Sequence, residues 1–403
     1  MNLLKEGIEQ KVVIKTDRAK KMVVDGLSST YPIYQVRIDY LFYNDKNDRI
    51  ATWISEYETK NGHKLIIGED FEEYNKMIQK FITESNSDKL KNTQQNIRLV
   101  GQQECGVILT DGRVIDGNRR FTCLRNLSKE FDGFNYFETV ILDKDYENDE
   151  KQIKMLELQL QHGKEERVDY DPIEKLVGLY RDVVVNKLLT VNEYARGVNK
   201  KERLVGEDLE VAMLMVEFLE TINAPGKFYL ARELKLDGPL RELQKILKKI
   251  NNEDKKEDIK NIAFTNMLTC PSKDLTRFIR KLSTISTSKY VDEFIEEEIE
   301  MAEKVIDSLP SEGNVNGESI SELRSNDKLQ EDLNNTMEKY ENRAKVSKTK
   351  NKPVQFLKKA IDNVGSIDVE IIKRLSCSEK DNLVDALSEL EEAIKLIRDE
   401  LYV

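Results

Sequence analysis

The stretch "DGRVIDGNRRF" at residues 111–121 decides the expected fold, because it joins a tight corner to a cluster of charges. It holds two glycines, two aspartates and three arginines around one apolar pair. An Asp-Gly step between apolar runs is a strong signal for a hairpin turn. We therefore expect a hairpin whose strands are residues 107–109 and 114–115, and a helix over residues 118–131.

The predicted helix starts where the charges lie. Free backbone N–H groups at a helix start attract anions, and Gly117 allows a ligand to approach the backbone closely. Arg119 and Arg120 add planar donors that suit phosphate oxygens. Asp116 can bind a metal or accept a proton from a substrate hydroxyl. The alternative is an ordinary turn, in which Asp116 caps the helix and the arginines are solvated.

The surrounding patterns predict a small α/β domain at the N-terminal end. "YPIYQVRIDYLFYN" (31–44) alternates and is rich in residues that favour strands, so a strand is predicted there. "FETVILDKDY" (137–146) gives another predicted strand. Apolar residues recur at helical spacing over residues 51–58 and 69–83. The polar residues 84–96 predict a loop with a short helix.

The rest of the chain predicts helices, since strand signals fade after about residue 150. The fold class expected is α+β, with domains at residues 1–150, 151–250 and 251–403. Amphipathic helices are predicted over 150–161 and 171–189, the second capped by Asp171 with Pro172 in its first turn. Two further helices are predicted within 228–250, with a corner at Gly238-Pro239.

Residues 190–222 predict a helix, a break near 197–199 and a second helix, a spacing that suits a helix-turn-helix. Lys200, Lys201 and Arg203 lie at the start of the second helix, where DNA contacts would be made. Nearby acidic residues oppose this interpretation. A helical packing module without a DNA-binding face is the alternative.

Three polar stretches predict hinges or linkers: residues 251–258, 310–319 and the basic 343–353. The lysines of the last stretch are a second candidate for DNA contact, and a solvated flexible linker is the alternative. The last helix carries a heptad seam made of Leu383, Leu387, Leu390, Ile394, Ile397 and Leu401. This seam, within residues 379–403, can pack on residues 353–364 of the same chain or on a second chain as a homodimer.

Composition excludes several classes of protein. The 403 residues carry a net charge of −11, so any nucleic-acid contact needs a local basic patch. No apolar run reaches the length of a membrane span, and no secretory signal is expected, so a cytoplasmic protein is predicted. Cys105, Cys123, Cys270 and Cys377 are far apart and predict neither zinc nor disulfides. With two histidines, a multi-histidine metal centre is excluded.

An ordered series of motifs resembles the ParB/sulfiredoxin superfamily over roughly residues 31–220. "VIDGNRRFTCLR" (114–125) is similar to its "I-x-G-x-R-R-x-x-A" box, and "DPIEKL" (171–176) to its "N-P-I-E-E" segment. "LTVNEYARGVNK" (189–200) is similar to the start of its helix-turn-helix.

ParB proteins bind CTP with magnesium and hydrolyse it slowly. The resemblance implies that Gly117, Asn118, Arg119 and Arg120 hold a triphosphate, and that Arg49 reaches it from the loop after the first strand. The family's metal and phosphate box "E-N-x-x-R" is not intact here. Residues 157–167 take its place, where Glu157, Gln161 or Arg167 can substitute, and Glu157 is the predicted metal ligand.

The expected function is a nucleotide-binding, DNA-associated protein that uses CTP or ATP with Mg²⁺ to switch its conformation or assembly, with slow hydrolysis as the possible activity. Sulfiredoxin chemistry is disfavoured, because Asn118 stands where those proteins carry the catalytic cysteine. Free-serine kinase relatives carry an aspartate that matches Asp116. A kinase, ATPase or nuclease-type enzyme at the Asp116 loop is therefore one alternative, and a scaffold with a decayed site is another.

Overall fold

The computed structural model describes residues 1–44, 46–68, 71–146, 148–162 and 171–400. The chain forms two compact units, Met1–Glu341 and Asn342–Val403. The predicted α+β class is confirmed, since one six-stranded sheet near the N-terminus is followed by helices. The predicted domain boundaries at residues 150 and 250 stay predictions. None of the helices in these described ranges combines the length and the apolar character that a membrane span requires.

The sheet is mixed and has the strand order β1-β2-β6-β4-β5-β3. Its strands are β1 Val13–Val24, β2 Leu27–Arg37, β3 Phe42–Tyr43, β4 Gly106–Leu109, β5 Arg113–Asp116 and β6 Tyr136–Leu142. Neighbouring strands are antiparallel except in the pairs β6/β4 and β5/β3, which are parallel. The predicted hairpin is therefore confirmed as β4–β5, next to the short strand β3.

Helices cover both faces of the sheet, which explains why β4 is buried along its whole length. Its side chains alternate, so Val107 and Leu109 face one side while Ile108 faces the other. The helices of this part of the chain are α1 Ala51–Asn61, α2 Phe71–Ser85, α3 Ser87–Val100, α4 Asn118–Leu127 and α5 Glu150–His162. Helices α2, α3 and α4 pack on the Ile108 face, and α5 packs on the other face.

The helices that follow are α6 Pro172–Tyr180, α7 Val191–Gly197, α8 Glu202–Thr221, α9 Phe228–Glu233, α10 Asp237–Leu247, α11 Glu253–Thr269, α12 Leu275–Ile285, α13 Val291–Asp307, α14 Gly317–Arg324 and α15 Asp327–Gly365. Helix α7 packs in a smaller cluster with Leu158 and Leu179, and all the others contribute to one large apolar core. The core reaches from Ala51, at the start of α1, to Tyr340 in α15. A π-helical turn, Arg181–Val185, continues α6. Asp171 caps α6 with Pro172 in its first turn, as predicted.

Several predicted elements of the N-terminal part differ from the structure. The strand predicted over 31–44 begins earlier, as β2, and breaks into a 3₁₀ turn at Ile38–Tyr40 before β3. The loop with a short helix predicted at 84–96 is a continuous helix of 14 residues, α3, because Leu90 and Ile97 pack into the core while Asn86 caps its start. Because most residues of 84–96 are polar, the sequence pattern did not indicate that Leu90 and Ile97 would be buried.

The predicted hinge and linker segments are also ordered elements. Residues 251–258 belong to the cap and first turns of α11. Within 310–319, Val315 is fully buried, and the ammonium of Lys227 donates to the carbonyls of Gly313 and Val315 at 2.6 and 2.7 Å. The basic stretch 343–353 continues α15, which accommodates Pro353 in its interior. The Gly238-Pro239 pair lies in the first turn of α10 and not at a corner.

The C-terminal unit contains the second half of α15 followed by α16 Val369–Ile372 and α17 Cys377–Glu400. Helix α17 has no buried residue. The seam residues Leu387, Ile394 and Ile397 are exposed, and Leu401 lies outside the described residues. Packing within the unit therefore leaves the predicted seam largely open.

Gly112→Ala is expected to destabilise the protein much more than Gly133→Ala. Both glycines have φ close to +98°, where a side chain costs roughly 1–2 kcal/mol. A Cβ at Gly112 would also lie 2.4 Å from the carbonyl oxygen of Tyr40, whereas nothing lies within 4 Å at Gly133. We expect a loss of about 3 kcal/mol or more at Gly112 against about 1 kcal/mol in the control, measured by urea denaturation. Equal losses would contradict the packing of the hairpin turn on residues 38–40.

Candidate functional site

The start of α4 is formed by a sharp turn at Gly117. This residue has φ +100° and leaves the helix without a side-chain cap. A Cβ at Gly117 would lie 2.9 Å from the Phe137 ring and 3.3 Å from the Cα of Gly106. Glycine is thus required here by packing and by the backbone conformation, independently of any ligand. The N–H groups of the first helical turn, at Asn118, Arg119 and Arg120, precede the first intrahelical bond of the helix, which Phe121 donates to Gly117.

Arg119 is the outstanding group at this helix start. Its guanidinium is half-buried and makes no hydrogen bond or ion pair with any residue that the structure describes. Burial lowers the pKa of Arg119, and the positive charges of Arg49 and Arg120 lower it further. A cation that is partly desolvated, repelled by like charges and without a counter-charge is suited to receive an anion.

The structure therefore brings the predicted residues Arg49 and Arg120 into electrostatic range of Arg119. Arg49 lies in the 3₁₀ turn Asp48–Ile50, which Asn47 caps by accepting a hydrogen bond from the Arg49 N–H at 3.1 Å. This turn leads directly into α1, whereas Arg119 and Arg120 lie on α4. The cluster of Arg49, Arg119 and Arg120, called the arginine cluster below, thus joins two elements that are far apart in the sequence.

Arg120 has a second task in the fold. Its guanidinium donates to the backbone carbonyls of Glu104 and Cys105 at 2.6 and 3.0 Å, and to the Asp116 carboxylate at 3.1 Å. These bonds tie α4 to the residues that precede β4 and to the end of β5. Arg120 therefore stabilises the turn between β5 and α4 even without a ligand. A substitution of Arg120 would change the stability of the fold as well as ligand binding. Arg119 is the sharper probe of the predicted phosphate contact.

Asp116 is half-buried at the end of β5, and its carboxylate accepts the hydrogen bond from Arg120. It does not cap α4, because Gly117 occupies the cap position without any side-chain bond. The alternative role of Asp116 as a helix cap is therefore wrong. The catalytic role predicted for Asp116 stays a prediction.

Asn118, the first residue of α4, has a buried side-chain oxygen with no hydrogen-bond partner among the described residues. Buried polar atoms in folded proteins nearly always have a partner, and the exceptions call for an explanation. The oxygen and nitrogen of a side-chain amide can exchange places by a half-turn rotation without changing the shape of the group. In either orientation, the buried atom of Asn118 lacks a hydrogen-bond partner among the described residues. Asn118 directly precedes Arg119 in the chain, which is consistent with a ligand that carries both charge and hydrogen-bonding groups.

Glu157, the predicted metal ligand, is buried beside the ammonium of Lys154, at 3.7 Å, and accepts a hydrogen bond from Gln161 at 2.9 Å. Burial raises the pKa of Glu157 to about 8. Across the described ranges, no group of three or more His, Cys, Asp or Glu is placed to hold a metal ion. The metal role of Glu157 stays a prediction, and Arg167 lies outside the described residues.

Sequence reasoning missed the partners of this carboxylate. Lys154 is 6% exposed, and its ammonium lies 2.8 Å from Asp48 and 3.4 Å from Asp182. The carboxylates of Asp48, Glu157 and Asp182 and the ammonium of Lys154, together the ionic cluster, line a pocket of about 220 Å³. A lysine between buried positions of an amphipathic helix was the available signal, but the sequence does not reveal which side chains meet it.

The residues predicted to contact DNA lie where α7 turns into α8. Thr190 and Glu193 form a capping box at α7, and residues 198–201 separate the two helices. Lys200 pairs with Asp208 at 2.9 Å, and Arg203 pairs with Glu207. Lys201 is exposed and, among the described side chains, has no ion-pair partner. The DNA role of these three residues stays a prediction.

Comparison with known proteins gives fold-level relatives only. No family model matches the chain, and no curated protein matches it. One similar solved structure is a Pnob8-like ParB-N domain, with 14% identity and a TM-score of 0.34, covering 68% of this chain and 98% of that one. Another is a C-terminally truncated chromosome-partitioning protein ParB from Caulobacter crescentus, complexed with CTP-gamma-S. It has 12% identity and a TM-score of 0.17 and covers 40% of this chain and 81% of that one.

Both neighbours are ParB proteins, the family that the sequence motifs resemble. The likeness is one of fold. At these TM-scores neither neighbour assigns a role to any residue of this chain.

Asp116→Asn is expected to weaken the brace to Arg120 while leaving nucleotide affinity and any slow triphosphate hydrolysis unchanged. The asparagine oxygen can still accept the Arg120 hydrogen bond but loses the charge, a loss of roughly 1 kcal/mol in the free energy of unfolding. Thermal denaturation and a phosphate-release assay measure the two effects. Loss of hydrolysis with intact nucleotide binding would instead make Asp116 a catalytic base and favour the enzyme interpretation.

Proposed function

We propose that this protein is a ParB-like nucleotide-binding protein that holds the triphosphate of CTP or ATP at the start of α4. The observation that carries the proposal is Arg119, a half-buried cation without a counter-charge among the described residues, beside two further arginines. Charge-assisted bonds from guanidinium groups and free helical N–H groups suit phosphate oxygens. Arg119 and the nearby Arg49 can together contact more than one phosphate, whereas Arg120 is held by its bonds to Glu104, Cys105 and Asp116.

The neighbouring Asn118 can serve a nucleotide in either orientation of its amide. A ribose hydroxyl, a base amino group or a metal-bound water can donate to its unpartnered oxygen, and a phosphate oxygen can accept from the amide once it is turned over. The complex of the Caulobacter crescentus neighbour with CTP-gamma-S agrees with a nucleotide as the ligand class.

Magnesium enters this proposal as the companion of the nucleotide. Among the carboxylates that the sequence singled out, Asp116 accepts from Arg120 and Glu157 faces Lys154, so neither is an open oxygen ligand. The described residues therefore do not fit a protein-built magnesium site. Mg²⁺ commonly keeps several waters and binds chiefly through substrate phosphates, so it can accompany a nucleotide here.

Nucleotide occupancy is proposed to switch conformation or assembly, with DNA as the associated partner. Lys201 supports DNA contact, since it is exposed at the start of α8 and unpaired among the described residues. The carboxylate partners of Lys200 and Arg203 weaken the case for those two. A kinase, ATPase or nuclease at Asp116 remains the second candidate function.

Arg119→Gln is expected to reduce nucleotide affinity by at least about 10-fold, because one lost charge-assisted contact is worth roughly 1.5–3 kcal/mol. The fold should survive, since Arg119 makes no bond to the described protein. Thermal shift and isothermal titration with CTP, ATP, GTP and UTP, each with and without magnesium, measure the effect. Arg277→Gln, an exposed arginine in α12, removes the same charge and should change nothing. Equal affinity in both variants would contradict the proposed site.

The assembly partner is proposed to be a second copy of this chain. In the C-terminal unit, α15 and α17 line an open apolar groove of about 1430 Å³. Phe356, Ile361 and Leu396 on its walls are 65–69% exposed. Contiguous apolar surface of this kind marks an interaction site.

Charge favours a second copy over an unrelated partner. Residues 342–365 carry seven basic residues and one acidic residue, whereas α17 carries eight acidic and three basic residues. In a two-fold arrangement, the basic helix of each chain can lie across the acidic helix of the other. Two helices of 24 residues, each about 36 Å long and 10 Å wide, present roughly 700 Å² per chain, close to the ~800 Å² of a standard interface.

Ile361→Glu is expected to weaken dimerisation by at least about 10-fold, because it buries a charge in the proposed interface. Val369→Glu is the matched control: Val369 is 65% exposed in the same unit and does not line the groove. Sedimentation velocity over a concentration series measures both. Removing residues 379–403 should give a monomer with the fold of Met1–Glu341 intact. A full-length monomer, or equal effects of the two variants, would contradict a dimer through this groove.

A further inference from the structure

The ionic cluster lies at a junction of three elements. Lys154 on α5 places its ammonium 2.8 Å from Asp48 in the 3₁₀ turn, 3.4 Å from Asp182 in the π-helical turn after α6, and 3.7 Å from Glu157. It also approaches the carbonyl of Lys46 at 3.4 Å. The buried side chain of Lys154 thus links its own helix α5, which packs on the sheet, to the turn before α1 and to the end of α6.

The turn held by Lys154 is the turn that carries Arg49. Asp48 and Arg49 are consecutive, and the side chain of Asp48 is fixed from two directions. Lys154 binds it on one side. On the other side α6 approaches so closely that a Cβ at Gly178 would lie 2.6 Å from the Asp48 carboxyl carbon. The next residues are fixed as well, because Thr52 donates its N–H to the buried Glu174 at 2.9 Å.

The charge balance explains why Lys154 must remain in place. Three buried carboxylates surround one ammonium, and their attraction raises the pKa of Lys154 well above its ordinary value. Without the ammonium, Asp48 would lose its ion-pair and hydrogen-bond partner, and the three carboxyls would either repel one another or take up protons in a poorly solvated pocket. In both cases the bond that holds the Asp48 turn to α5 would be lost.

We propose that Lys154 is a positioning residue for the anion site. Through Asp48 it fixes the turn that places Arg49 near Arg119, and it ties that turn to the end of α6. This inference rests on the proposed function, because it concerns the same anion site. It adds a residue that does not touch the ligand. It also gives a route by which ligand binding at the arginine cluster can change the position of α6, because Lys154 contacts both Asp48 and Asp182. Helix α6 leads in turn to α7 and α8.

The test measures the affinity of the full chain for inorganic tripolyphosphate by isothermal titration calorimetry. Lys154→Met should weaken binding by at least 10-fold, and Lys154→Arg should restore most of it by returning the charge. Lys151→Met is the matched control, since Lys151 lies on the same helix with its side chain half exposed and pairs with Glu193. In an Arg49→Ala background, Lys154→Met should have little further effect. An equal effect in both backgrounds would overturn the positioning role.

A second measurement needs no ligand and separates this inference from the proposed function. Hydrogen exchange of residues 46–52 should speed up at least 10-fold in Lys154→Met, and exchange of the β4–β5 hairpin should not. If the wild-type chain fails to bind triphosphates, the proposed function fails, while the exchange result still decides whether Lys154 fixes the turn. Binding in the wild type with unchanged affinity and exchange in Lys154→Met would overturn the inference alone.

Should Lys154→Met fail to fold, the variant that combines it with Glu157→Gln and Asp182→Asn removes the ammonium without leaving those two carboxylates charged. This variant is expected to fold and still to expose residues 46–52 to faster exchange. Protection equal to that of the wild type would contradict the role of Lys154.

Discussion

The left-handed conformation of Gly117 is the constraint on which the site depends. It turns the chain from β5 into α4 within one residue, and the ring of Phe137 and the Cα of Gly106 leave no room for a side chain there. The turn places two adjacent arginine side chains in different environments. Arg120 is directed back to the carbonyls before β4, and Arg119 is left without a protein partner among the described residues. Packing at one glycine thus creates both the brace and the open cation.

The two charged clusters of the N-terminal unit solve opposite electrostatic problems. In the ionic cluster, one buried ammonium lies among three carboxyls, and its ion pairs with Asp48 and Asp182 compensate the buried charge. In the arginine cluster, like charges repel, and the pKa of Arg119 falls as a consequence. Internal pairing is consistent with a structural link in the first cluster. In the second, the lack of a counter-charge at Arg119, among the described residues, is what favours the proposed anion site.

The sequence predicted the elements that local signals specify. The Asp-Gly turn, the apolar alternation around it and the helix behind it identified the β4–β5 hairpin and α4, and the resemblance added Arg49 to Arg119 and Arg120. The length of helix α3 was underestimated because only two of its apolar residues are buried, and its polar residues resemble a loop. Lys154 was missed because its partners Asp48 and Asp182 come from distant segments. No spacing rule within one helix reveals such a junction.

The arginine cluster bridges two bodies of the fold that are held by different contacts. Arg119 is fixed by α4, which packs on the sheet, whereas Arg49 is fixed by a turn that leads into α1, whose first residue belongs to the helical core. If the proposed site is occupied, an anion that contacts both arginines would offset the repulsion between them. A ligand shifts a conformational equilibrium only through its different affinity for the two states. We expect such a difference for a multivalent anion, because its phosphates can contact Arg49 and Arg119 together, whereas a single phosphate can be bound by Arg119 alone. The length of the phosphate chain, more than the total charge, is therefore expected to determine whether the turn responds.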